Sequence, residues 1–330
     1  IMTNKRLNLS IPFLKGQESS YVSDCIKSGW ISSAGSLIKK FEEELCKITK
    51  SKYAVACING TSALHISLLL AGVKNNNEVI VPTITFIAPV NAVKYCNANP
   101  IFMDCDEKYN LDVDKVIEFL NNHTYQFKGL CLNKKTKKII KAMIIVHVWG
   151  NPINIKNLVK ICKQKNIKLI EDSSESLGSK FDQTNKHTGT IGFCGCLSFN
   201  GNKIITTGGG GAILTQNKKI ALKAQHLIQQ AKTSIWFNHD DIGYNYRMIN
   251  VQAAIGLAQI KKFNQIKTKK RLIYNKYHNL FSENNLFKLL THKKNSNNWM
   301  NVINIKNYNQ NKLIKLIKEL EKHNIETRPV

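Results

Sequence analysis

Short runs rich in Val, Ile, Leu and Cys alternate with helical patterns through the first two-thirds of this chain. YAVACI (53–58), EVIVP (78–82), PIFMDC (100–105), KAMIIVHVWG (141–150), IKLIED (167–172), CGCLSF (194–199) and GAILT (211–215) read as strands. Each is a near-continuous apolar run, the pattern of strands covered on both faces, as in a largely parallel sheet. Between them, Ile155, Leu158, Val159 and Cys162 fall at i, i+3, i+4 and i+7 with lysines opposite, which predicts a helix lying on the sheet. The segment from Ser62 to Ala71 is apolar almost all round, which predicts a buried helix, with Gly72 as its stop. The fold class is therefore α/β.

A helix from about Gln252 to Phe263 closes a large domain spanning residues 1–260. The character then changes to short strands and basic helices, with NVINI followed by the apolar stripe Leu313, Leu316, Ile317 and Leu320. Residues 261–330 read as a smaller C-terminal α/β domain, and because the sequence stops at IETRPV just after that stripe, this domain is expected to be incomplete.

Composition narrows the picture. At 330 residues and 43% hydrophobic content the chain can bury a sizeable core, and no run approaches the roughly 20 apolar residues a bilayer span needs. A cytoplasmic location is expected. The nine cysteines lack the CxxC spacing of a zinc site and read as reduced, packed thiols, so no metal is expected. The formal charge of +26 is carried by Lys spread over Asn-rich runs such as NKKTKK and HKKNSNN rather than by one stripe. That distribution favours surface drift over nucleic-acid binding and leaves some benefit for an anionic substrate.

Four segments carry candidate chemistry. SFNGNKIITTGGGG (198–211) sets Lys203 in a glycine-rich turn between two strands; the lysine precedes the glycine run and no GxxxxGK[ST] opens a helix, which excludes a P-loop. It is either a solvated hairpin lysine or one held rigidly for imine and base chemistry. Glu171 and Asp172 end the strand IKLIED, where a carboxylate can bind a metal, cap the next helix or hold a ring nitrogen protonated. Asn59-Gly60-Thr61-Ser62 lies between a strand and the buried helix, either an ordinary N-cap or a phosphate site on the positive helix end. Phe86, in PTITF just past a strand, could stack on a flat heterocycle or belong to the core.

NGTSALH, PTITFIAPVNAV, VHVWGNP, IEDSSESLGS, SFNGNKIITTGGGG and GYNYRMINVQAAIGLAQI occur in this order. Together they resemble the DegT/DnrJ/EryC1/StrS aminotransferases, enzymes that use pyridoxal 5'-phosphate (PLP) to aminate keto-sugar nucleotides. The resemblance runs from about Leu9 to the last residue. It implies the PLP-dependent transferase type I (aspartate aminotransferase-like) fold, with Lys203 as the Schiff-base lysine and Asp172 as partner of the pyridine nitrogen. Glu175 matches the position beside the ring hydroxyl, Phe86 the stacking aromatic, and Gly60, Thr61 and Ser198 the phosphate contacts. Asn245 matches an asparagine reaching the phosphate from the neighbouring subunit, which implies a homodimer with shared active sites. His147 falls where the family has a pocket histidine, a core role being the alternative, and Arg247 reads as structural or interfacial.

The wording of the Lys203 segment is similar to the branch that aminates C4 of UDP-linked 4-keto-6-deoxy-N-acetylhexosamines with glutamate as donor. Serines replace the usual small alanines in EDSSES, and the family's C-terminal segment beyond TRPV is missing. The rival readings are a sugar dehydratase of the same fold, which has histidine at the Lys203 position, a 3-amino-sugar aminotransferase, and a non-catalytic binding or regulatory protein.

Overall fold

The computed structural model describes residues 6–233, 236, 238–306 and 309–330. Helices α1 (Glu18–Ser28) and α2 (Leu37–Thr49) precede strand β1 (Tyr53–Cys57). Alternation follows: α3 (Gly60–Leu70), β2 (Glu78–Pro82), α4 (Ala88–Tyr95), β3 (Asn99–Met103) and α5 (Val113–Asn122). A hairpin of β4 (Thr124–Phe127) and β5 (Leu130–Asn133) leads to β6 (Ile140–Val146), α6 (Lys156–Gln164), β7 (Lys168–Asp172), β8 (Cys194–Ser198) and β9 (Gly211–Thr215). The chain ends with α7 (Lys218–Ile228), α8 (Asn250–Lys261), α9 (Phe263–Phe281), β10 (Phe287–Leu289), β11 (Ile303–Ile305) and α10 (Gln310–Lys322).

Among the described residues, one sheet takes seven of these strands in the order β1-β9-β8-β7-β6-β2-β3. Its pairs β2–β3, β2–β6, β6–β7 and β7–β8 are parallel, and β9 alone runs against both its neighbours. The apolar runs become buried strands, β2 along its whole length. Because side chains alternate across a strand, Val79 and Val81 join one core layer with Leu64, Leu68 and Val93, while Ile80 joins another with Val116, Leu120 and Leu158. A third cluster gathers Phe41, Leu45, Leu197, Phe199, Leu214 and Ala253. The mostly parallel sheet covered by helices is the α/β architecture expected from the sequence and agrees with the fold that the resemblance implies.

The helices follow their patterns. In α3 every residue from Gly60 to Leu68 except Thr61 is buried, and Gly72 takes a left-handed φ of 78° as the residue that ends the turn. The exposed edge of β1 is blunted from α2: Glu42 Oε1 accepts the Ala56 N–H at 2.8 Å, an edge group that would otherwise invite another strand. Beyond the end of β1, Ile58 N–H donates to Tyr246 O at 2.8 Å.

In the C-terminal part, β10 and β11 form an antiparallel pair, and α10 keeps its Leu313, Leu316, Ile317 and Leu320 stripe only half-buried. The stretch between the two strands turns back onto the sheet domain. Lys180 N–H donates to Asn295 O at 3.0 Å, Ser296 Oγ to Gly150 O at 2.9 Å, and Trp299 packs into the cluster with Phe41 and Phe199. Among the described residues no helix is long and apolar enough to cross a membrane.

Candidate active site

The chemistry-bearing residues collect at one edge of the sheet, where β7, β8, β2 and β1 all end. Their side chains are sorted by the pleat. Glu171 and Asp172 are consecutive, so they leave β7 on opposite faces. Asp172 shares its face with Ile170 and helix α3; it is buried, and its Oδ1 accepts the Ser174 N–H at 3.0 Å. Glu171 has zero exposure and accepts N–H groups from Gly189 at 2.7 Å, Ile191 at 2.8 Å and Gly192 at 2.6 Å, with His147 Nε2 at 3.0 Å. Burial alone would push its carboxyl up, but the hydrogen bond from His147 and the backbone donors hold it below the usual range. Glu171 is thus a clamp on the loop before β8.

His147 sits in the core rather than in a pocket wall. Its exposure is zero, and its Nδ1 accepts the Ile153 N–H at 3.3 Å. That bond assigns the proton to Nε2, which donates to Glu171. Both nitrogens are taken, so nothing remains to meet a substrate.

Lys203 lies in the turn that joins β8 to β9, closed by its own N–H donating to Asn200 O at 3.0 Å. Its ammonium points back to Glu175, with Nζ 3.4 Å from Oε1, and sits 4.4 Å from the centre of the Trp299 ring. Only 12% of the lysine side chain and 15% of the glutamate are exposed, so this is a shielded pair and not a solvated hairpin lysine. Glu175 Oε2 also accepts the Trp149 N–H at 2.7 Å, from a residue held at a left-handed φ of 52°. Burial pushes the Glu175 carboxyl up; Lys203 and the Trp149 N–H oppose this, Asp172 adds to it, and the balance stays above the usual range.

The third part is the start of α3. Asn59 caps the helix by accepting the Ser62 N–H at 2.8 Å and forms a parallel bridge with Gly210, while the Thr61 N–H has no acceptor among the described residues. A Cβ placed on Gly60 would come within 2.8 Å of Ser198 Cβ, 3.2 Å of Ser198 Oγ and 3.3 Å of Ser174 Oγ, so a side chain is excluded by close approach. An open N–H on the positive helix end with two hydroxyls beside it forms a cradle suited to a phosphate. Thr85 Oγ1, next to Phe86, is buried without a hydrogen-bond partner among the described residues. Phe86 itself is 74% exposed, free to offer its face at this edge and not part of the core. A shielded lysine, a strand-end aspartate and an anion cradle together fit PLP.

Asn245 is not brought to this cluster. It is exposed on a segment bridged to Gln229, facing outward from the chain. Arg247, two residues on, donates to Ser33 O and pairs with Cys57 at the end of β1. A cavity of about 390 Å³ beside Arg247, between α2, β1 and α7, lies apart from Lys203 and Asp172.

Sequence reasoning missed Trp299, Asn297 and Trp149. Asn297 is buried, and its side-chain NH₂ donates to Glu175 O at 2.8 Å and Leu177 O at 3.0 Å. The signal for Trp149 was present in VHVWGNP. For Asn297 and Trp299 no local signal exists, because their partners lie about a hundred residues away.

The sequence profile of the DegT/DnrJ/EryC1/StrS aminotransferase family matches residues 12–330. A GDP-perosamine synthase of Escherichia coli O157:H7 is 40% identical over 269 residues, 81% of this chain and 69% of that protein. A UDP-4-amino-4,6-dideoxy-N-acetyl-beta-L-altrosamine transaminase of Campylobacter jejuni is 30% identical over 272 residues, 81% of this chain and 68% of that protein. Among solved structures, Helicobacter pylori PseC, an aminotransferase involved in pseudoaminic acid biosynthesis, superposes with a TM-score of 0.85 at 26% identity, covering 97% of this chain and 83% of PseC. The matched stretch is about two-thirds of each of the two curated relatives.

Proposed function

The chain belongs to the DegT/DnrJ/EryC1/StrS aminotransferase family and is a PLP-dependent sugar aminotransferase, and on that premise we propose that it moves an amino group from glutamate to a nucleotide-linked keto-deoxy-sugar, using Lys203 as its proton-shuttling base. The observation that carries this is the shielded Lys203–Glu175 pair beside Asp172 and the open α3 cradle.

PLP, when bound, supplies an electron sink that lets a proton leave the carbon bearing the transferred nitrogen. The chain's own residues do the rest. Gly60, Thr61 and Ser198 hold the phosphate, Phe86 covers a ring face, Asp172 keeps a ring nitrogen protonated, and Glu175 lies beside Lys203. Lys203 Nζ takes the proton from the carbon that gives up the amine and later delivers a proton to the sugar carbon that receives it, a role that contributes about 10²–10⁴-fold to rate. The low exposure of Lys203 and Glu175 keeps water from competing for that proton. A histidine at this position would suit the dehydratases of the same fold; lysine supports transamination.

The nucleotide is the finer question. A UDP-linked 4-keto-6-deoxy-N-acetylhexosamine aminated at C4 competes with a GDP-linked keto-sugar, and the higher identity to a GDP-perosamine synthase supports GDP. Asn245, exposed on its own chain, supports a homodimer in which each subunit completes the other's cradle. The free thiols support a reducing, cytoplasmic setting. The test supplies glutamate with GDP- and UDP-linked keto-sugars and follows the aminated sugar by mass spectrometry. Amine transfer to the GDP sugar is expected; transfer to the UDP sugar alone corrects the nucleotide. Bound cofactor with no transfer to any sugar contradicts the proposal and favours a binding protein.

A further inference from the structure

Trp299 sits at a junction. It is 5% exposed, and its Nε1–H donates to Asn202 O at 2.8 Å, the residue just before Lys203. Its own N–H donates to Asn297 Oδ1 at 3.0 Å, while the Asn297 NH₂ ties the carbonyls of Glu175 and Leu177. The indole face stands 4.4 Å from Lys203 Nζ, within the range of a cation–π contact. One buried unit therefore fixes three things together: the backbone at Glu175, the turn at Asn202 and the amine of Lys203.

A lysine that serves as a shuttle base must rest in one place each time it is free. Its four-carbon stem carries considerable rotamer freedom, so a single long contact is a weak restraint. The 3.4 Å approach to Glu175 is such a contact. The indole face adds a second, broad and polarizable one, from the opposite part of the chain.

We propose that Trp299 is a positioning residue for Lys203, its ring holding the free amine against Glu175 and its N–H fixing the turn that carries the lysine. This rests on Lys203 being the cofactor lysine. A merely structural tryptophan would depend on volume; a positioning one depends on the aromatic face.

The experiment compares the holoenzyme with Trp299→Phe, which keeps a ring face, and Trp299→Leu, which does not; Trp299→Met replaces the Leu variant should that fail to fold. Borohydride treatment and peptide mass spectrometry first establish that cofactor is fixed on Lys203. In glutamate-treated holoenzyme, trace acetic anhydride then reports how firmly the free amine is held. Acylation of Lys203 is expected to be several-fold faster in the Leu variant and close to the parent in Phe. The glutamate half-reaction should lose roughly two- to thirtyfold in kcat in Leu, the cation–π range at 1.36 kcal/mol per tenfold, with KM little changed and most of the rate recovered in Phe. Equal acylation in parent and Leu, or equal loss of kcat in Phe and Leu, overturns this inference alone. No fixed cofactor in the parent overturns the cofactor reading and the inference with it.

Discussion

Exchanging Glu171 and Asp172 separately for their amides separates fold from chemistry, because these sequence neighbours leave β7 on opposite faces. In Glu171→Gln, the N–H groups of Gly189, Ile191 and Gly192 and the His147 ring still converge on a side chain, half of which has become an NH₂ donor. Zero exposure leaves no water to take up the misplaced donors. Each buried donor left facing that NH₂ costs about 1–3 kcal/mol, so the two on one oxygen together cost roughly 2–6 kcal/mol. Against an unfolding entropy of roughly 0.7 kcal/mol/K for a chain of this length, about 4 kcal/mol lowers Tm by about 6 °C. The pH dependence has a definite sign. Glu171 is held below the ordinary carboxylate range, so its contribution is complete above that range and lost as pH falls through its depressed value; parent and variant should converge in acid. Asp172→Asn keeps an oxygen for the Ser174 N–H, so its Tm should shift by no more than about 2 °C. Its glutamate half-reaction should fall by about a hundredfold or more, the low end for a positioned charge in a site. Calorimetry and single-turnover absorbance measure the two effects. A Glu171→Gln protein with unchanged Tm but no half-reaction, or an Asp172→Asn protein that melts early, would refute the division of roles.

Gly60→Ala places a methyl 2.8 Å from Ser198 Cβ; overpacking of about 1–3 kcal/mol should raise the PLP dissociation constant roughly tenfold. Equilibrium dialysis reads this, and an unchanged constant places the phosphate elsewhere. Burial pushes the Glu42 carboxyl up to about 7, so the native state holds a proton that the unfolded chain releases near 4.5, and stability falls as pH rises between those values. Glu42→Gln keeps the acceptor for Ala56 without that dependence and should gain up to about 3 kcal/mol on the parent above pH 7. Urea unfolding at pH 5 and pH 8 tests it; an equal difference at both contradicts the assignment.

The strands were legible because each is an apolar run long enough to cross a doubly covered sheet, and α6 and α3 because their faces are written in the spacing of Leu158 and Cys162 and in the stretch from Ser62 to Ala71 that is apolar almost all round. The separation of Glu171 from Asp172 was also available, since strand periodicity alone sends adjacent side chains to opposite faces. His147 was not so accessible: its place depends on Ile153 and Glu171 meeting it at once, which only the packed fold supplies. Asn297 and Trp299 were hidden by distance along the chain. They follow a change in composition that reads as a separate unit, yet Trp299 packs with Phe199 and Leu197 under the lysine turn.

The account stands most directly on one measurement. The purified protein, loaded with PLP, is reduced with borohydride, digested and its cofactor-bearing peptide sequenced by mass spectrometry, alongside Lys203→Ala. The cofactor is predicted on Lys203, with the long-wavelength absorbance lost on reduction in the parent and never formed in the variant. Cofactor fixed on another lysine, or an unchanged spectrum in Lys203→Ala, would contradict it.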